Sequence, residues 1–275
     1  MKKFRFLSFL LCFFSILSFA ITNSFSADKN KLVVTGASTI APLAAELGKK
    51  FEEKHKGVKI DVQTGGSSRG VTDLRLGLND IGMVSRALNP DEKELTAFTI
   101  AYDGVCIILH KTNPIINLSS QQIKDIYSGK ITNWKIVGGI DAPITVISKA
   151  EGRSTLELFL NYFKLKNSEI KASIIVGDNE QDIKSVAGNP NAIGYVSIGT
   201  AEFDISVGIP IKSLPLENIA PTTENVRIGR FPLSRPLNLV MKSKPTGLAK
   251  QFIDFAQSPE ANALVKEQFF VPLSK

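Results

Sequence analysis

The chain has 275 residues, 43% hydrophobic and 21% charged, with a formal net charge of +7. These proportions describe a globular protein and exclude a disordered or collagen-like chain. Two cysteines and two histidines exclude a multi-cysteine zinc site and a disulfide framework.

The N-terminus reads Met1-Lys2-Lys3-Phe4-Arg5, followed by an apolar run over 6–20. A basic start, a short apolar middle and small residues after it predict a secretory signal peptide, residues 1–26, cleaved after Ser26. Cleavage after Ala20 satisfies the same small-x-small rule. The run falls short of the ~20 residues of a spanning helix. Cys12 follows Phe9-Leu10-Leu11, a poor lipidation box, so a soluble exported protein is expected. Cleavage removes Lys2, Lys3 and Arg5, and the formal charge falls from +7 to +4. That mild excess is far from a nucleic-acid-binding arm. Cys106 lies in the apolar run Val105-Cys106-Ile107-Ile108-Leu109 and reads as a small buried hydrophobe.

Short apolar runs then alternate with helix-like stretches. Strands are predicted over 32–35, 59–64, 80–84, 104–110, 144–148, 172–176, 192–197 and 237–241. Helices are predicted over 41–54, 68–77, 119–127, 154–165, 181–187, 246–257 and 259–267. This alternation means α/β layers with largely parallel sheets. Pro/Gly/Asn-rich loops over 111–114, 131–143 and 210–236 do not form a single linker. They suit two lobes sharing strands, with 104–110 and 237–241 as the crossings. The expected division is lobe 1 over 27–105 and 235–275, and lobe 2 over 106–234.

Three strand-to-helix turns share one composition: Gly36-Ala37-Ser38-Thr39, Gly65-Gly66-Ser67-Ser68-Arg69-Gly70 and Gly152-Arg153-Ser154-Thr155. A helix N-terminus carries unpaired N–H groups and a positive dipole end, so it attracts anions. Glycine lets the backbone approach a ligand, hydroxyls add donors, and Arg69 or Arg153 can add charge-assisted ones. Ser85-Arg86, after the third predicted strand, offers the same chemistry at a strand end, where open parallel sheets bind ligands. One such turn is ordinarily a structural cap. Several together, two of them with an arginine, point to a bound anion.

Enzyme templates mostly fail. Gly66–Gly70 spells Gly-x-Ser-x-Gly within the second turn, but there is no Gly-x-Gly-x-x-Gly and no Gly-x-x-x-x-Gly-Lys-Ser/Thr. His55 and His110 read as solvated or hydrogen-bonded side chains, Trp134 as loop packing, and Asp103 as a loop cap, with acceptance of a ligand's proton as its alternative.

Taken in order behind a signal peptide, these stretches resemble the phosphate-binding proteins of bacterial ABC transporters, with the periplasmic type II substrate-binding fold. The resemblance rests on Thr35–Pro42 (TGASTIAP), Gly65–Gly70 (GGSSRG), Asp80–Arg86 (DIGMVSR), Tyr127–Trp134 (YSGKITNW), Glu151–Thr155 (EGRST) and Ala192–Val196 (AIGYV). It implies two lobes, each with a mostly parallel sheet flanked by helices. Two hinge strands join them, and they close over one dehydrated phosphate. It implies phosphate contacts from Ser38, Thr39, Ser67, Ser68, Arg153, Ser154 and Thr155, to which Ser85 and Arg86 are added from their strand end. Where members of the family carry an arginine before the third turn, this chain has Lys149. Where they carry an aspartate near the end of the third strand, it has Ser85-Arg86. The resemblance further implies a periplasmic monomer that hands phosphate to an ABC permease, without cofactor, metal or nucleic acid. Alternatives are another oxyanion (sulfate, molybdate or a phosphonate), a secreted phosphate-ester hydrolase using Ser67 or Ser38, and a sensory or adhesive protein on the same fold.

Overall fold

The computed structural model describes residues 30–273, so the predicted signal peptide and Cys12 lie outside the described residues. The elements begin with β1 (Lys31–Gly36), α1 (Ala41–Lys54), β2 (Lys59–Thr64), α2 (Ser67–Leu76), β3 (Ile81–Val84) and a long β4 (Thr96–His110). They continue with α3 (Ser120–Tyr127), β5 (Thr145–Lys149), α4 (Ser154–Phe163), β6 (Ile174–Val176), α5 (Asn179–Ala187), β7 (Ala192–Ser197) and α6 (Ile198–Ser206). The chain ends with β8 (Ile211–Leu214), α7 (Thr223–Arg227), β9 (Ser234–Met241), α8 (Gly247–Ala256), α9 (Ala261–Glu267) and β10 (Val271–Pro272).

Local sequence explains most of these elements. In α1, Leu43, Leu47 and Phe51 recur every four residues and are buried, and a proline sits in the first turn, where its missing N–H is harmless. In α3, Ser119 and Gln122 form a reciprocal capping box. β7 is buried along its whole length, as a strand covered on both faces must be.

The strand order is β2-β1-β3-β9-β4-β7-β5-β6. The outer triplets β2-β1-β3 and β7-β5-β6 are parallel. The antiparallel pairings belong to β4 and β9. β4 pairs with β9 up to Gly104, opposite Ser234, and from Val105 onward with β7 and β8. Sequence reading found only the second half of β4. Its first half, residues 96–103, has exposed or half-buried positions and lacks a continuous apolar run.

Two large hydrophobic cores flank this crossover. One packs Leu43, Leu47, Phe51 and Met83 with Leu239 and Phe252. The other packs Ile107, Tyr127, Trp134, Phe159 and Tyr195. β4 and β9 therefore lie along the seam between two α/β bodies, and the turns with glycine and hydroxyl residues end on that seam.

Candidate functional site

The site begins with how three helices start. The residues that open α1, α2 and α4 make no side-chain capping bond. By contrast, α3, α5, α6 and α7 are capped by Ser119, Asp178, Ser197 and Thr222; α8 and α9 also lack such a cap. At the seam, the backbone N–H groups of Ser38, Thr39, Ser67, Ser154 and Thr155 find no acceptor among the described residues. Three positive helix ends thus meet with their donors unpaired.

Glycine makes this approach possible. Gly66 has φ +97°, and a β-carbon there would stand 2.6 Å from the carbonyl oxygen of Gly152 in the other body. The Ser68 N–H donates to that same carbonyl at 3.2 Å. No side chain fits between the second and third turns.

The hydroxyls converge in the same place. Ser154 Oγ donates to Ser67 Oγ at 2.5 Å, and the Ser85 N–H donates to Ser67 Oγ at 3.2 Å. Thr39, Ser67, Ser85, Ser154 and Thr155 are all buried. At their centre lies a residue that sequence reading missed, Arg235 at the start of β9. Its Nη1 reaches Thr155 Oγ1 at 3.1 Å and Ser85 Oγ at 3.4 Å, and its Nη2 reaches Thr39 Oγ1 at 3.3 Å. Arg235 is 2% exposed. A cation so deeply buried requires a partner, and Asp103 supplies it. Asp103 Oδ2 accepts from Arg235 Nε at 3.1 Å and Nη2 at 2.8 Å, while Oδ1 accepts from the Gly199 N–H at 3.3 Å. The two residues stand directly opposite each other in the β4–β9 ladder. Asp103 is therefore a buried strand residue and not the loop cap its sequence context suggests.

The nine predicted contact residues divide into two groups. Five of them, Thr39, Ser67, Ser85, Ser154 and Thr155, form the cluster. Four do not join it. Arg86 is a correction: its guanidinium makes two bonds of 2.7 and 2.8 Å to Glu92 and an ion pair of 2.5 Å with Glu157. Two carboxylates neutralise it, which leaves little charge for an anion. Burial alone would lower its pKa, but Glu92 and Glu157 outweigh that and raise it. Ser68 donates its hydroxyl to Glu157 at 3.3 Å, away from the cluster. Arg153 lies over Gly66 and extends toward Gly177, and its buried Nε has no acceptor among the described residues. Ser38 lines a cavity of about 370 Å³ that opens beside Thr39 and is walled by Asn179, Thr200, Phe203 and Phe270.

Lys149 is also accounted for. It is buried inside the second body against Asp182 at 2.5 Å and donates to the Asp178 carbonyl at 3.1 Å. Burial pushes its amine pKa down and the Asp182 carboxyl pKa up, each against the pull of its partner. The cation at the hydroxyl cluster is instead Arg235, which comes from a different strand. The available signal is that a charged residue stands just ahead of each predicted crossing strand, Asp103 directly before 104–110 and Arg235 two residues before 237–241, and the two are of opposite sign.

Neither histidine reaches the cluster. His55 stacks on Phe51 and pairs with the Phe51 carbonyl at 3.0 Å, and His110 pairs with Thr112 Oγ1 at 2.7 Å. Ser67 and Ser154 have no imidazole base beside them.

Comparison with known proteins bears on the family and the fold. Residues 23–260 match the PBP superfamily domain. The phosphate-binding protein PstS of Staphylococcus epidermidis is 30% identical over 244 residues, 83% of this chain and 74% of the relative. That of Borreliella burgdorferi is 29% identical over 273 residues, 95% of this chain and 97% of the relative. Among solved structures, a Clostridium perfringens substrate-binding protein assigned to phosphate ABC transport, with phosphate bound, is 36% identical. It superposes with a TM-score of 0.81 over 89% of this chain and all of that one. By sequence match and fold alike, this chain belongs to the PBP superfamily and, within it, to the PstS phosphate-binding proteins.

Proposed function

We propose that this protein captures inorganic phosphate at the seam between its two bodies and delivers it to an ABC permease. The observation that carries the proposal is the convergence of Arg235, five buried hydroxyls and three uncapped helix N-termini on one point. A dehydrated oxyanion needs many donors and limited net charge, and this cluster supplies both. Arg235 contributes a cation already half-compensated by Asp103, and the other donors are neutral. Taking the protein from mostly open to mostly closed requires ~5.5 kcal/mol of preference for the closed form. Charge-assisted hydrogen bonds at ~1.5–3 kcal/mol each meet that with three or four contacts.

The two bodies act as lobes, 27–105 with 235–275 and 106–234, hinged where β4 and β9 cross. The protein is exported by a cleavable leader over 1–26, works as a monomer in the periplasm and performs no chemistry on its ligand. Hydrolysis through Ser67 would need a base beside it, and its side-chain partners are the Ser154 hydroxyl and the Ser85 N–H. Phosphate carrying an O–H requires an acceptor that fully ionised sulfate does not. Asp103, bonded to Arg235, takes the role of the aspartate replaced at Ser85-Arg86.

Titration calorimetry of the mature protein, stripped of ligand, tests this with phosphate and sulfate at pH 5.5 and 8. Phosphate is expected to bind at both pH values, with sulfate at least about a hundredfold weaker, roughly 2.7 kcal/mol. Equal binding of the two anions, or of neither, overturns the phosphate reading. Turnover of a chromogenic phosphate ester that is lost in Ser67→Ala would replace it with hydrolysis.

A further inference from the structure

Arg86 and Glu157 lie outside the anion cluster yet join the two bodies. Arg86 belongs to the first body and is fixed there three times over. Its carbonyl accepts from Asn238 Nδ2 at 2.7 Å, its Nη1 donates to the Ala87 carbonyl at 3.0 Å, and Glu92 grips both terminal nitrogens. Glu92 is held in turn by the Asn89 N–H at 2.7 Å. This arrangement uses no residue of the second body. Glu157 belongs to the second body, on α4, and both its oxygens face the first: Oε2 lies 2.5 Å from Arg86 Nε, and Oε1 accepts from Ser68 Oγ at 3.3 Å.

Its placement in the chain gives the pair its meaning. Arg86 follows Ser85 directly, and Ser85 is in the anion cluster. Glu157 lies two residues after Thr155 and three after Ser154, in the same helical turn. The ion pair between Arg86 and Glu157, a charge contact without hydrogen-bond geometry at Nε, therefore sets the register between the cluster donors on the two sides.

We infer that Arg86 and Glu157 form an interlobe latch that holds the closed form, so that phosphate affinity and release depend on an ion pair that never touches phosphate. The inference rests on the phosphate reading above for its ligand, but its geometry is independent of it. On opening, Arg86 keeps Glu92, and Glu157, already a quarter exposed, turns to water. Breaking a buried pair by removing one partner is costly when the other stays buried. Here the partner on α4 escapes to solvent, so the pair works as a reversible contact. Glu157 is a positioning residue, acting through closure.

The test is Glu157→Gln, which keeps the shape and the Ser68 bond but removes the charge. Arg86 itself is left intact, because its loss would strand buried Glu92 and confuse folding with latching. The Kd for inorganic phosphate is expected to rise about tenfold, roughly 1.4 kcal/mol, almost wholly through faster dissociation in stopped flow. Glu157→Asp, which keeps the charge, should fall between wild type and Gln. The ligand-free melting temperature should not move, because the open form does not use the pair. Unchanged Kd and dissociation rate in Glu157→Gln, with wild type binding phosphate, overturn the latch and leave the phosphate reading intact. A ligand-free melting temperature that falls as far as the phosphate-bound one makes Glu157 merely structural and also overturns it. Should wild type not bind phosphate, that reading fails, and the latch is judged on ligand-free protein by spin labels at Leu76→Cys and Ile136→Cys, exposed positions on the two bodies. Glu157→Gln must then lower the closed fraction. An unchanged distance distribution overturns the latch.

Discussion

At the scale of single residues, one buried position carries the charge and another balances it. Arg235 donates toward three hydroxyls of the cluster while Asp103 holds its other edge. Replacing Arg235 with Met should reduce phosphate affinity by at least a hundredfold in calorimetry. It should also destabilise the fold by about 3–5 kcal/mol, because Asp103 is left as an unpaired buried carboxylate. Adding Asp103→Asn should restore most of the melting temperature but none of the binding. Binding by the single variant within tenfold of wild type would remove Arg235 from the site. Lys cannot substitute: it brings a point charge where the cluster uses a planar fork reaching Asp103, Ser85, Thr155 and Thr39 at once.

At the scale of elements, helix starts divide by purpose. Where a side chain caps the helix, as Ser119 does α3, the donors are satisfied within the fold. Ser119→Ala should therefore lower stability by about 1 kcal/mol and leave the phosphate Kd unchanged, in a denaturant melt paired with calorimetry. The start of α2 is different. Gly66 has φ +97° and faces the Gly152 carbonyl. Gly66→Ala adds both backbone strain, of order 1–3 kcal/mol, and a clash present only when the two bodies meet. Phosphate affinity should fall by more than the ligand-free stability loss accounts for. Equal losses in the two measurements would show that the turn is strained in itself and does not act in closure.

Over the whole molecule, buried charge pairs link acidity to stability. Burial alone would raise the Glu92 carboxyl pKa; the Arg86 bonds and the Asn89 N–H outweigh burial and hold it below its ordinary 4.5. A depressed carboxylate stabilises the fold above its unfolded-state value, and that contribution is lost as pH falls through the folded-state value. Melting temperature should therefore be level in this respect above pH 4.5 and decline below it. Glu92→Gln should be less stable than wild type at neutral pH and show a shallower acid decline. A variant that keeps the wild-type acid slope would assign that slope to other carboxylates.

The sequence by itself determined the α/β alternation, the strands 59–64 and 192–197, the helix 41–54 and the three turns with glycine and hydroxyl residues. These depend on periodicity and on residues adjacent in the chain, and local pattern is sufficient for them. The turns and the family resemblance together pointed to Ser38, Thr39, Ser67, Ser68, Arg153, Ser154 and Thr155, with Ser85 and Arg86 from their strand end; of these, Thr39, Ser67, Ser85, Ser154 and Thr155 meet in one buried cluster. The tertiary structure decided which charged side chain stands among them. Arg86 sits beside Ser85 in sequence, yet its guanidinium is turned to Glu92 and Glu157. Arg235 is 150 residues beyond Ser85, yet lies within hydrogen-bond reach of it. Lys149 precedes the third turn in the chain, but Asp182 draws it into the second core. A buried charge goes where its counter-charge is: Glu92 reaches Arg86 from six residues along the chain, but Asp103, Asp182 and Glu157 come from β4, α5 and α4 and reach Arg235, Lys149 and Arg86 only through strand pairing and packing.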